Sequence, residues 1–245
     1  MQNILKNNEA TEEVKLFFEK WKVYKKIVVN NYTGHEEVYA AIHDFIKINL
    51  DRNFSVLDLG SGDALYIAKA LKKTKVKSYC GVDLSKISLD LAHKNLTHLN
   101  CDLEFFTNDF FDFLENSQKK YDLIFMGLSL HHLLLEQKQQ FIIKLKQIIN
   151  PNGFLIIFDT FLNENETREE YLVRWHNLCH NSWLKLTKEE KSAIETHVTE
   201  ADYPESFSTF QKIGKIAGFT KIENLLQHVK GKYGLVIFHT KSFAK

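Results

Sequence analysis

Five short apolar runs punctuate the sequence between residues 54 and 158, and each ends at a turn or polar residue. They cover 54–59, 78–82, 103–107, 121–126 and 154–158. Stretches with helical spacing lie between them at 64–71, 85–98 and 137–149. Alternation of this kind buries strands under crossing helices, which defines an α/β fold with a mostly parallel sheet. Local signals punctuate it. Gly60-Ser-Gly62 closes the first run, Ser85 suits a helix N-cap, and Asn150-Pro-Asn-Gly153 stops the third helix. The pattern resumes with a helix to Ala217, a turn at Gly218, a strand over 221–226 and a last strand over 233–240.

Two helical segments interrupt or precede this core. Residues 11–48 carry Val14, Phe17, Phe18, Trp21, Tyr24 and Val28 at helical spacing. After a break at Asn30, Asn31 and Gly34, Val38, Ala41, Ile42 and Phe45 continue a second helix. Residues 162–203 are helical, polar and rich in large side chains, with a capping box at Thr187 and Glu190. Pro204 then suits a first helical position. The expected organisation is a helical cap over 1–50 and a core over 51–245 that carries a helical lid at about 162–203.

Charge removes some functions from consideration. Lys plus Arg is 32 and Asp plus Glu is 31, so no general field attracts a polyanion, and no nucleic-acid partner is expected. The three cysteines, Cys80, Cys101 and Cys179, are far apart and form no CxxC pair, which fits a reducing compartment rather than a disulfide framework. Residues 1–10 are polar, and no apolar run approaches the ~20 residues of a membrane helix. A cytoplasmic protein complete in one chain, with no membrane partner, is the expectation. Nineteen Phe residues suit a packed interior and equally an apolar pocket.

The sharpest motif is Val56-Leu-Asp-Leu-Gly-Ser-Gly-Asp63, a buried strand joined to a helix through two glycines. Glycine there lets backbone approach a ligand that a Cβ would exclude. Asp83 closes the next strand in the register where an acidic residue receives ribose hydroxyls, since a carboxylate accepts from two vicinal hydroxyls at once. After the third strand, Asn108 or Asp109 suits an adenine amino group and Phe110 the ring face. The pyrophosphate fingerprint G-x-G-x-x-G is incomplete, because Leu65 stands where its third glycine belongs.

Taken together these motifs resemble the S-adenosylmethionine-dependent methyltransferases of the seven-stranded Rossmann-like, class I family, of small-molecule type. Asp58-Leu-Gly-Ser-Gly62 is similar to their first motif, Gly81-Val-Asp83-Leu84 to the second and Asn108-Asp109 to the third. Tyr121-Asp-Leu-Ile and Pro151-Asn-Gly153-Phe are similar to the motifs of the fourth and fifth strands. The resemblance covers roughly residues 54–158 and implies strand order 3-2-1-4-5-7-6 with an antiparallel last strand. It implies that S-adenosyl-L-methionine is the methyl donor and S-adenosyl-L-homocysteine the product. It places Gly60, Ser61 and Gly62 at the methionine part, Asp83 on the ribose and Asn108, Asp109 and Phe110 at the adenine, with Asp58, Leu84 and Gly127 also among the cofactor-binding residues.

On the acceptor side, Gly127-Leu-Ser-Leu-His131-His132 follows the fourth strand, where ligands of open α/β sheets bind. The segment lacks the Asn/Asp-Pro-Pro-Tyr/Phe motif of base-modifying methyltransferases, and also the carboxylates of metal-dependent catechol enzymes. A small-molecule acceptor follows. His131 and His132 are the acid/base candidates, with His131 favoured on strand alternation. Tyr24, Tyr32 and His35 suit a cover that excludes water, and Arg168, Tyr171, Arg174 and Trp175 fall at helical spacing where two guanidiniums suit an anionic acceptor. His176 and His180 stand at i and i+4 but no further ligand is evident, so no metal is expected. The alternatives are a methyltransferase acting on RNA or protein, an aminopropyltransferase, and a non-catalytic binding protein.

Overall fold

A computed structural model describes residues 22–241. Val14, Phe17, Phe18 and Trp21 lie outside the described residues. Helix α1 occupies 22–29 of the described chain, and α2 (His35–Asn49) follows a turn at Gly34. The alternating core then runs β1 (Phe54–Leu59), α3 (Leu65–Leu71), β2 (Val76–Asp83), α4 (Lys86–Leu96), β3 (Asp102–Thr107), α5 (Phe110–Asn116), β4 (Tyr121–Gly127), α6 (Leu135–Gln147) and β5 (Ile149–Thr160). The helical insertion is α7 (Arg168–Ser182) and α8 (Lys188–Ala201). The chain closes with α9 (Phe207–Ile216), β6 (Lys221–Val229) and β7 (Tyr233–His239).

The seven strands form one sheet in the order β3-β2-β1-β4-β5-β7-β6, as the resemblance implied. β1 pairs in parallel with β2 and β4, and β7 is antiparallel to both β5 and β6. The sheet is buried on both faces, so its strand residues divide by alternation. Val56, Leu123, Phe125, Ile156 and Phe158 pack under α2 and α3. Leu57, Leu59, Ile124, Met126 and Ile157 pack under α6 and α9. Helix α2 is part of the first layer through Val38, Ile42, Phe45 and Ile46. A third, smaller core within the insertion gathers Tyr171, Trp175, Cys179, Trp183 and Val198, and Ile27 and Tyr32 pack on it.

Several boundaries differ from the sequence reading. Pro204 is not a first helical position: α9 starts three residues later, because the Ser206 hydroxyl accepts from Thr209 N and is the better cap. Strand β5 begins at Ile149, running through the turn-like Asn150–Gly153 stretch. Asn152 takes a left-handed φ of 63° there, and the pairing with β4 shifts register between Tyr121 and Leu123. Helix α5 had no counterpart in the sequence reading. It is seven residues long, too short for periodicity to show, and is nucleated by Asp109, whose carboxylate accepts from Phe111 N and Asp112 N.

Candidate active site

The glycine turn after β1 is tied down from both sides. Gly60 N and Ser61 N donate to Val82 O at 2.8 and 3.1 Å, and Gly62 N donates to Asp83 Oδ2 at 2.8 Å. Gly60, Gly62 and Ala64 all take left-handed φ angles, of 70°, 52° and 52°. A Cβ on Gly60 would lie 2.5 Å from Ser129 Oγ, whereas one on Gly62 would meet nothing within 4 Å. The turn is therefore packed against β4's extension at Gly60 and open at Gly62.

It floors a cavity of about 220 Å³ at the carboxyl ends of β1 and β4. Asp58, Gly60, Ser61, Gly62 and Gly127, all expected at the cofactor, line this cavity together. Tyr24 from α1 and His35 from α2 line it as well. The sequence reading missed Tyr39, Asp63, Tyr66 and Ser129. Two signals pointed to them. Tyr39 lies four residues after His35 on one helix face, and Tyr66 sits in the first turn after the glycine loop.

Two buried polar atoms here lack a partner. Asp58 Oδ2 accepts from Tyr79 Oη at 2.5 Å, but Asp58 Oδ1 and Ser61 Oγ make no hydrogen bond. Such orphans are costly unless a ligand satisfies them. Burial pushes the Asp58 carboxyl up to about 7, against the Tyr79 hydroxyl, which lowers it. The His35 ring contacts the rings of Tyr39, Tyr66 and Phe158, and its Nδ1 lies 2.5 Å from Thr33 Oγ1. Burial first, and then the Lys69 charge, hold this imidazole down to about 4. Burial also raises the Tyr39 and Tyr66 phenols, so these phenols and the His35 imidazole are neutral at physiological pH, while Asp58 is divided between its two forms.

Asp83 stands beside the turn with Oδ1 accepting from Ser85 N at 2.8 Å and Oδ2 from Gly62 N. Each oxygen keeps a second acceptor site. Leu84 is 71% exposed, an apolar surface at the strand end with no protein cover. Asn108 donates its backbone N–H to Asp83 O. Asp109 is spent in part as the α5 cap, and Phe110 packs against Phe111 and Phe141.

The histidines after β4 depart from expectation. Leu128 takes a left-handed φ of 54°, and Leu130–His132 form a 3-10 turn. The extended alternation that favoured His131 is absent, and neither His131 nor His132 lines the cavity. His131 is instead buried against β5 and the end of α8, with its Nδ1 2.5 Å from Asp159 Oδ1 and its backbone N–H on Asp159 Oδ2. His131 O accepts from Tyr203 N at 2.8 Å.

The insertion residues expected at the acceptor have other partners. Arg174 makes a bidentate pair with Glu166 and donates to Phe161 O and Gly231 O. Arg168 donates to Asp202 O and Thr199 O. Tyr171 and Trp175 are buried in the insertion's own core, with the Tyr171 hydroxyl on Thr160 Oγ1. Tyr32 stacks on Trp183 at 5.3 Å and its hydroxyl accepts from Lys185 N. Arg174 and Tyr171 dock the insertion on the core, Arg168 ties α7 to the end of α8, and the two-arginine clamp is not formed.

The sheet order and the glycine-floored cavity at its switch point define a nucleoside-cofactor enzyme of the class I methyltransferase fold. Residues 56–153 match the family described as "Methyltransferase domain". The chain is 25% identical over 216 residues to carboxy-S-adenosyl-L-methionine synthase 1 of Yersinia pseudotuberculosis, covering 82% of this chain and 84% of that protein. It is 29% identical over 200 residues to phosphoethanolamine N-methyltransferase of Plasmodium falciparum, covering 80% and 69%. The plantazolicin methyltransferase BpumL, solved with SAH, has the same fold: the TM-score is 0.62 at 13% identity, covering 90% of each chain. The chain is an S-adenosylmethionine-dependent methyltransferase. No helix among the described residues is long and apolar enough to cross a membrane.

Proposed function

We propose that this enzyme methylates a small acceptor that is neutral or cationic. The observation that carries this reading is the cavity's electrostatics. Two carboxyl groups, Asp58 and Asp63, and three phenols, Tyr24, Tyr39 and Tyr66, line the walls, and no lysine or arginine among the described residues does. A buried site with acceptors and no counter-cation favours positive or neutral guests and disfavours anions.

The cofactor fits the residues present. Asp58 Oδ1 and Ser61 Oγ would receive its ammonium group, Gly62 leaves room for close approach, and the remaining lone pairs of Asp83 would take the ribose hydroxyls. Leu84 would cover one face of the base. When bound, S-adenosylmethionine supplies a methyl group already activated on a sulfonium. The chain's own contribution is alignment and exclusion of water. Tyr24 and the α2 wall of His35 and Tyr39 narrow the approach, which restricts acceptors to small molecules. His35, held neutral, is a weak base and a good hydrogen-bond acceptor, so it orients the acceptor rather than removing its proton.

A carboxymethyl-bearing cofactor, as the name of the Yersinia relative implies for that protein, would bring an extra negative charge. The three arginines are all engaged elsewhere: Arg52 with Asp122, Arg168 with two carbonyls and Arg174 with Glu166. Among the described residues the cavity offers that charge no lysine or arginine. The test is incubation of the enzyme with methyl-labelled S-adenosylmethionine and separate pools of small metabolites, RNA and protein. Label is expected in small neutral or amine-bearing molecules. Label confined to RNA, protein or small anions would overturn the reading.

A further inference from the structure

Beside the cofactor cavity, side chains from two distant parts of the sequence converge. His131 and His132 follow β4, and Asp202 caps the end of α8. One donor atom from each lies within 4.8 Å of the others. His131 Nε2 is 3.5 Å and His132 Nδ1 3.7 Å from Asp202 Oδ1. Neighbouring ligands on a tetrahedral zinc with bonds of ~2.0–2.1 Å are separated by about 3.3 Å, so both spacings are close to those of a filled site.

Two further observations point to a ligand. Asp202 is 4% exposed, and its Oδ1, the atom both histidines face, has no hydrogen-bond partner. And His131 is already fixed as metal-binding histidines are: its Nδ1 is held by the Asp159 carboxylate, which aims Nε2 at Asp202 and raises its basicity. Nearby Lys138 is occupied by Leu133 O, Tyr203 O and Glu205, so it does not neutralise Asp202 directly. His132 Nδ1 also lies 3.2 Å from Ala201 O, a contact that metal binding would replace.

We propose that His131, His132 and Asp202 form a binding site for one divalent transition-metal ion. Two imidazoles and one carboxylate suit a borderline ion such as Zn²⁺ and do not suit Mg²⁺ or Ca²⁺, which take oxygen ligands. His132 is the half-exposed member, so the ion reaches the site from solvent and keeps at least one open position. The ion joins the end of β4 to the end of α8, and so fastens the insertion to the core.

Calorimetric titration of the full metal-free chain with ZnCl₂, and absorption titration with CoCl₂, test this. One ion per chain is expected, and the Co²⁺ complex should show the intense visible bands of low coordination number. His132→Ala, at a half-exposed position, and Asp202→Asn, which keeps its shape, should each weaken binding at least tenfold. Asp159→Asn should weaken it by about 10–100-fold through the orientation of His131. Zn²⁺ should raise the melting temperature of the wild-type chain and leave that of His132→Ala unchanged. Absence of Zn²⁺ binding below 1 mM, or equal binding by wild type and both ligand variants with intact circular dichroism, would overturn the proposal.

Discussion

At the scale of single residues, the two carboxylates of the cofactor site separate by environment. Asp58 is buried and raised to about 7, so the empty site holds a proton that a cationic ligand must displace. Cofactor affinity should therefore fall as pH drops from 7 to 5, by up to about tenfold per unit. The same group in the empty protein binds a proton that the unfolded chain has lost, so its contribution to stability declines as pH rises through that window. Asp58→Asn should flatten the affinity profile, and a variant whose calorimetric slope matched wild type would place the titrating group elsewhere. Asp83 differs, because it also anchors the glycine turn through Gly62 N. Asp83→Asn keeps an acceptor for one amide and should weaken binding less than Asp83→Ala. We expect at least tenfold between the two by equilibrium dialysis, and equal losses would mean that the turn does not depend on this bond.

At the scale of elements, what was legible in the sequence follows from range. The strand–turn–helix motif at 56–63 and the acidic end of β2 are local, so they could be read without knowing the fold. The aromatic wall could not, since Tyr39 and Tyr66 meet only once α2 packs on α3. Strand alternation favours His131 as a base, and its carboxylate partners, Asp159 and Asp202, lie 28 and 71 positions away and leave no local signal. The arginines of α7 suit an anion clamp or pairing with neighbouring glutamates, and Arg174 does pair with Glu166; only their carbonyl acceptors carry no side-chain signature. Their observed role has a measurable cost. Arg174 is half-buried and satisfies Glu166 and two carbonyls, so Arg174→Ala should destabilise by about 2–3 kcal/mol. For a chain of this size that lowers the melting temperature by roughly 5–10 °C. A shift under 2 °C by calorimetry would show the insertion to be docked by its apolar core alone.

For the whole molecule, cofactor, glycine turn and insertion meet at one end of the sheet, so binding should register globally. A ligand at 100 times its Kd adds about 2.7 kcal/mol to the folded state. S-adenosylhomocysteine at that excess should raise the melting temperature by roughly 5–10 °C, and no shift would contradict the assigned cavity. Tyr24→Ala opens the wall that narrows the approach to the site. It should leave S-adenosylhomocysteine affinity within about threefold while reducing transfer, because uniform binding is kept and alignment is lost. Unchanged transfer would assign α1 to packing.

The insertion is held together and onto the core by side chains that grip main-chain oxygens: Arg168 and Lys191 tie α7 to α8, and Arg174 reaches Phe161 and Gly231 of the core. Every residue type offers the same carbonyl. Such fastening is indifferent to which side chains the insertion displays, provided its helical path survives. The exposed faces of α7 and α8 can therefore diverge rapidly between descendants of one ancestor without loosening the dock. A scaffold of this kind is free to explore new acceptors while its donor site stays constant.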